Sequence, residues 1–150
     1  MSGLGGSASG EIDAPIDEVW ATLTDVSTIA AWQDGIISIE PIETNAAGEV
    51  VRAKLEADAK VKTLGVVVRF ERAAPTRLSW VVESGDVKKL DGSWTLEDLG
   101  GGRTRATYTT EVDPGRMLRM MVRGPVEDKI REKLVDKRPA ELAARVQAQR

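Results

Sequence analysis

The chain switches between two hydrophobic periods, and each switch marks the edge of an element. A first strand is predicted to end near Ile12-Asp13. Ile16, Val19, Trp20 and Leu23 then recur at steps of three and four, giving one apolar helical face. Pro15 suits the first position of that helix, with Asp13 as its cap. Ser27 is placed to cap a second short helix carrying Ile29 and Trp32, which Asp34-Gly35 ends.

From there to residue 113 the period is two. "IISIEPIE" reads as a strand in which Pro41 marks an edge or a bulge. After a turn at Asn45–Gly48, Val51, Ala53, Leu55 and Ala57 share one face, opposite Arg52, Lys54, Glu56 and Asp58. Leu64, Val66, Val68 and Phe70 form the next apolar face. Ala74-Pro75-Thr76 turns the chain, and Leu78, Trp80 and Val82 follow opposite Arg77, Ser79 and Glu83. Beyond Ser84-Gly85-Asp86, Leu90, Gly92, Trp94 and Leu96 fall together. Gly100-Gly101-Gly102 makes a hairpin loop. The answering strand sets Thr104, Ala106, Tyr108, Thr110 and Val112 against Arg105, Thr107, Thr109 and Glu111. Strands with one apolar and one polar face predict an antiparallel sheet packed on one side and wet on the other.

The last 37 residues return to the helical period. Asp113-Pro114 is a start signal, and Leu118, Met121, Val122, Val126, Ile130, Leu134, Leu142 and Val146 form one long apolar stripe. Gly124-Pro125 is expected to bend or restart the helix, and one helix is kept across Arg138-Pro139. The expected fold class is α+β. A curved seven-stranded antiparallel sheet wraps a long C-terminal helix, and two short helices follow strand one to close an end. Residues 1–7 are expected to be a flexible leader and 8–150 a single domain.

Composition narrows the chemistry. The chain has no cysteine and no histidine. Disulfides, thiolate catalysis, Ser-His-Asp chemistry and the commonest transition-metal ligands are therefore excluded. No metal or other cofactor is expected. The opening "MSGLGGSASG" lacks the pattern of a secretory signal, and its glycines precede no Gly-Lys-Ser/Thr, so a cytoplasmic protein without a phosphate loop is expected. The net charge of −3 hides a split: −8 over residues 1–113 and +5 over 114–150. Arg116, Arg119 and Arg123 share one helical face beside Met117, Met120 and Met121, which suits contact with an anionic membrane surface. An acidic whole without aromatic-basic interleaving disfavours nucleic acid.

Several motifs resemble a known family. Ile12, Ala14-Pro15, Val19-Trp20, Leu23, Asp25 and Trp32 look like the opening of the START/Bet v 1-type domains. These form the SRPBCC superfamily, with its polyketide cyclase/dehydrase and coenzyme Q-binding branches. Gly92-Ser93-Trp94-Thr95-Leu96, then Gly102-Arg103-Thr104 and Tyr108, are similar to that family's sixth and seventh strands. The chain departs from it at Ile29-Ala30-Ala31-Trp32, where many members carry an aromatic-proline pair before the tryptophan. The resemblance implies a helix-grip fold with a deep apolar cavity that binds lipids, isoprenoids or aromatic polyketides. Some members are cyclases, and some of those use an inward arginine.

Strand parity then selects the cavity wall. Phe70, Trp80, Trp94, Tyr108 and Thr110 are expected to face Met117, Leu118, Met121 and Val122 on the helix, with Trp32 near the entrance. Gln33, Thr104 and Asp98 are further polar candidates. Tyr108 is the best candidate for orienting a ligand, and the one candidate for catalysis. Arg69 alternates against Val68 and Phe70 and is expected to face solvent. The leading functional expectation is binding or transport of a hydrophobic small molecule. The alternatives are a polyketide aromatase/cyclase acting on a poly-β-ketone, and a partner- or membrane-surface module built on the basic C-terminal helix.

Overall fold

The computed structural model describes residues 5–122 and 124–150. Seven strands form one antiparallel sheet: β1 (Gly6–Ile12), β2 (Ile36–Thr44), β3 (Val50–Asp58), β4 (Thr63–Ala73), β5 (Arg77–Gly85), β6 (Lys89–Gly100) and β7 (Arg103–Asp113). Their spatial order is β1-β7-β6-β5-β4-β3-β2, so every neighbour pair except β1-β7 is a simple hairpin. The period-two pattern explains this, because each hairpin keeps the apolar faces on one side. Pro41 lies on the edge strand β2 and beside a register shift, where a residue without an N–H is tolerated. β1 takes in Gly6 and Ser7, which were expected in the leader: Gly6 pairs with Thr110 and Ser7 with Thr109. Of the rest of the expected leader, Gly5 is buried just ahead of the strand, and residues 1–4 lie outside the described residues.

Two short helices connect the edge strands β1 and β2: α1 (Ile16–Thr24) and α2 (Ile29–Trp32), joined through a 3-10 turn over Val26–Thr28. Their caps differ from expectation. Pro15 is the capping residue rather than the first helical one, and no side chain caps either helix. Asp13 instead offers its carbonyl to Gln147 and Arg150 at the end of the chain. Ser27 donates to the Asp25 carboxylate. Packing of Val19, Leu23, Val26 and Ile29 into the core holds these helices in place of caps.

The C-terminal helix is interrupted. A six-residue helix, α3 (Arg116–Met121), is followed by α4 (Pro125–Arg131), a π-type turn over Glu132–Asp136, and α5 (Arg138–Ala148). Gly124, with φ at +61°, restarts the helix, as the Gly-Pro pair predicted. The π turn has a geometric consequence. In a pure α-helix each step of four residues overshoots a full turn by about 40°, so four such steps would carry a stripe round towards solvent. The wider π turn winds it back. Ile130, Arg138, Leu142 and Val146 all remain buried in consequence, and Leu134 packs against the core beside them.

Candidate functional site

The sheet and the helix layer enclose a cavity of about 150 Å³. Its wall is almost entirely carbon. Phe70 on β4, Trp80 on β5, Trp94 on β6 and Tyr108 on β7 lie at neighbouring register positions and form a continuous aromatic row. Ring centroids stand 6.4 Å apart for Phe70–Trp80, 5.7 Å for Trp80–Tyr108 and 5.0 Å for Trp94–Tyr108, the last edge-on. Such tilted contacts suit aromatic quadrupoles. Gly92 makes the row possible. It pairs with Trp80 across the β5-β6 ladder, and a Cβ there would lie 2.3 Å from the indole.

The sequence-predicted residues divide into two groups. Phe70, Trp80, Trp94, Tyr108, Thr110 and Gln33 line the cavity. Trp32 does not; it packs half-buried beside the core, with its indole N–H directed to Thr28 at 3.4 Å. Leu118 and Val122 are buried in a separate cluster against Ala59, Leu64 and Val87, in and beside the turns that join the strands. Met117 and Met121 are corrected outright: Met117 is 80% exposed and Met121 49%. The break at Gly124 explains both. It detaches α3 from the helix that faces the sheet, so the wall facing the aromatics begins at Ile130 instead. Thr104 is buried but bonds to the Ala14 carbonyl at 2.8 Å, and Asp98 serves the β6-β7 turn by accepting from the Gly100 N–H. Arg69 faces solvent as expected and shares Glu83 with Arg52; the two guanidinium groups hold that carboxyl below its ordinary range. Arg119 pairs with Asp113, and Arg123 lies outside the described residues.

The polar end of the cavity belongs to residues that sequence reasoning passed over. Arg138 lines the cavity and is 1% exposed. Its Nη1 donates to the Asp34 carbonyl and to the Glu141 carboxylate, each at 2.8 Å. Glu141 also accepts the Asp34 N–H at 2.8 Å, so a buried ion pair clips α5 to the segment after α2. The guanidinium carbon stands 5.8 Å from the centre of the Tyr108 ring, within cation–π range. Burial pushes the Tyr108 phenol above its ordinary pKa, and the Arg138 charge opposes that rise. A signal for Arg138 was present: Ile130, Leu134, Arg138, Leu142 and Val146 are spaced by four, with one charge at the centre of an apolar stripe.

Chemically, the site offers a largely apolar aromatic slot with a few convergent polar groups, the usual form of a small-molecule pocket. Among the described residues no helix is long and apolar enough to cross a membrane.

The comparisons agree with this geometry. A family model described as polyketide cyclase / dehydrase and lipid transport matches residues 6–145. The chain therefore belongs to that family. A START superfamily protein from Mycobacterium smegmatis shares the fold at a TM-score of 0.82 and 16% identity, over 97% of this chain and 99% of that one. A protein from Thermus thermophilus gives 0.78 at 21% identity, over 97% and 98%. The Zhui aromatase/cyclase from a Streptomyces species gives 0.74 at 18% identity, over 97% and 94%. Identities this low carry the fold alone. A comparison with curated proteins returns no match.

Proposed function

We propose that this member of the polyketide cyclase/dehydrase and lipid transport family binds a hydrophobic small molecule and carries it within the cytoplasm. The observation that supports this reading is the cavity itself, bounded by Phe70, Trp80, Trp94 and Tyr108. At about 150 Å³ it has room for a single aromatic ring, short of the roughly 300–1,000 Å³ of drug-sized pockets. A lipid-, isoprenoid- or polyketide-sized guest therefore requires one wall to move. The movable segment is α3, a single turn and a half flanked by Gly115 and Gly124, both with positive φ, which does not line the cavity itself but lies over Ala59, Leu64 and Val87, which do. Only Leu118 and Val122 anchor it in the apolar cluster below. Its exposed methionines beside Arg116 suit docking on an anionic membrane during transfer. Native mass spectrometry of gently purified protein is expected to show a co-purifying apolar ligand. A clean apo mass, with no uptake from a lipid extract, would count decisively against carriage.

A polyketide aromatase/cyclase is the second reading, favoured by one observation. Gln33, Tyr108, Thr110 and Arg138 all reach the cavity wall, and such an enzyme needs several polar groups to fold a poly-β-ketone and move its protons. Tyr108 is the candidate proton donor. Tyr108→Phe is expected to redistribute cyclised products if this reading holds; an unchanged product profile removes Tyr108 from the chemistry.

A further inference from the structure

The sulfur in this chain is gathered in one place. There are four methionines and no cysteine. Met1 lies outside the described residues, and Met117, Met120 and Met121 all stand on α3. None of these three is in the core: they are 80%, 63% and 49% exposed. Steps of three and four put them on one helical face. Leu118 and Val122 hold the other face against Ala59, Leu64 and Val87. Single exposed apolar side chains are ordinary on any surface, but three on one helical face form a patch.

Positive charge surrounds this patch from three segments. Arg116 opens α3. Lys60 and Lys62 flank Val61 in the β3-β4 turn, and Val61 packs on the same cluster as Leu118. Lys88, in the β5-β6 turn, lies beside Gly115, where an added Cβ would stand 3.9 Å from the Lys88 Cβ. The Lys88 N–H also donates to the Asp113 carbonyl. Lys60, Lys62, Lys88 and Arg116 are all exposed, and among the described residues none of them forms an ion pair. The neighbouring carboxylates are engaged elsewhere: Asp58 with Lys133, Asp86 with the Gly65 N–H, and Asp113 with Arg119. On the outer face of the sheet, by contrast, Arg52, Arg69, Arg103 and Arg105 each meet a carboxylate.

An apolar helix face within a collar of unpaired lysine and arginine suits the surface of an anionic bilayer. The thioether chains can enter the acyl boundary while the cations stay among the headgroups. A protein partner would have to bring carboxylates to four cations carried on three separate segments. Lipid headgroups rearrange to meet them.

We infer that α3, with the β3-β4 and β5-β6 turns, forms a docking surface for an anionic phospholipid bilayer. The docking rests on the carriage proposed above for its purpose, but it is measured without any cargo.

The test is cosedimentation of the intact protein with vesicles of phosphatidylcholine alone and of phosphatidylcholine mixed with phosphatidylserine. Binding to the mixed vesicles is expected to be about a hundredfold tighter at low salt, and to fall towards the neutral-vesicle value at high salt. Lys60→Gln/Lys62→Gln/Lys88→Gln is expected to lose about a hundredfold on mixed vesicles, at about fivefold per charge. Met117→Ser/Met120→Ser/Met121→Ser is expected to lose about tenfold or more. These side chains are exposed, so the thermal melts are expected to match wild type. Arg77→Gln/Arg103→Gln removes exposed cations from the starts of β5 and β7, at the other end of the sheet, and is expected to change binding little. Equal binding to both vesicles, or an equal loss per charge in that last variant, would overturn the inference. So would unchanged binding in the methionine variant, or no binding to either vesicle. Tight binding of polyglutamate without binding of mixed vesicles would give the surface to an acidic protein and overturn it as well. A co-purifying apolar ligand in the native mass spectrum would keep the cavity reading in every one of these cases.

Discussion

The two halves of the helix layer use the same kinds of residue to different ends. Around α5, Leu142 and Val146 are fully buried and pack with Ile12, Val19, Leu23, Leu96 and Ala106 in one cluster that joins α1, β1, β6 and β7. Around α3 and α4, a smaller cluster gathers Ala59, Leu64, Val87, Leu118, Val122 and Ile130, most of it drawn from strand ends, turns and the short helix. The α3 side also leaves Met117, Met120 and Met121 in solvent. Both halves are apolar, but one joins long elements along their length and the other joins their ends. Local opening takes less free energy where few buried contacts and short elements must separate. On the proposed carriage, the difference gives α5 to stability and α3 to access.

Large-to-small changes should break the symmetry between them. Leu142→Ala removes a side chain with no exposure from the larger cluster, and is expected to cost about 2–5 kcal/mol in urea denaturation. Gly92→Ala comes next. Its Cβ would sit 2.3 Å from the Trp80 indole, so the expected loss is about 1–3 kcal/mol, with Trp80 displaced and its fluorescence moved to the red. Leu118→Ala, on α3, is expected to cost only about 1–2 kcal/mol globally, because α3 can open without the rest of the fold. Amide exchange in α3 should nevertheless quicken much more than in α5, and ligand exchange with it. Equal costs for Leu118→Ala and Leu142→Ala, with no local rise in exchange, would mean that α3 is core and not a gate.

The sequence made the sheet far more legible than the helix layer. A strand's side is fixed by parity, so Phe70, Trp80, Trp94 and Tyr108 could be placed on one wall from alternation alone, and Arg69 on the other. Helical side is an angle that accumulates, and any break resets it. A restart at Gly124 was expected, but one stripe was still carried across it from Leu118 to Val146, which is why Met117 and Met121 were expected inside. Arg138 was missed for a related reason. A charge at the centre of an apolar stripe looks like the point where the face turns to solvent, unless the π turn that holds it inward is known. Its partner Asp34 lies over a hundred residues away, beyond any local pattern. The caps of α1 and α2 failed because tertiary packing, not the first-turn hydrogen bond, holds those short helices.

The junction between the two halves yields the smallest and most pH-dependent effect. Lys137 pairs with Asp34 at 2.8 Å, and Lys133 with Asp58 at 3.0 Å, so the π turn and the start of α5 are clasped to the beginning of β2 and the end of β3. The Asp34 carboxyl is held below its ordinary pKa chiefly by its bond with Lys137, and Asp58 by the Lys60 N–H and then Lys133. Lys137 is raised in turn by Asp34. For a depressed carboxyl the stabilisation is complete above the unfolded value, about 3.9, and is lost as pH falls through the folded one. For the raised lysine it is complete below about 10.4 and is lost as pH rises through the folded value. Lys137–Asp34 is solvent-exposed and Lys133–Asp58 partly so, and the stability lost in Asp34→Asn/Asp58→Asn at pH 7 should be slight and smaller still at high salt. The measurement that matters is the difference between wild type and variant across pH. It should stay constant from about pH 5 to 9 and close as the pH falls through the lowered folded values, where the wild-type carboxyls become neutral. A difference that persists after the wild-type carboxyls have taken up their protons would mean that the clasps act through hydrogen-bond shape and not charge.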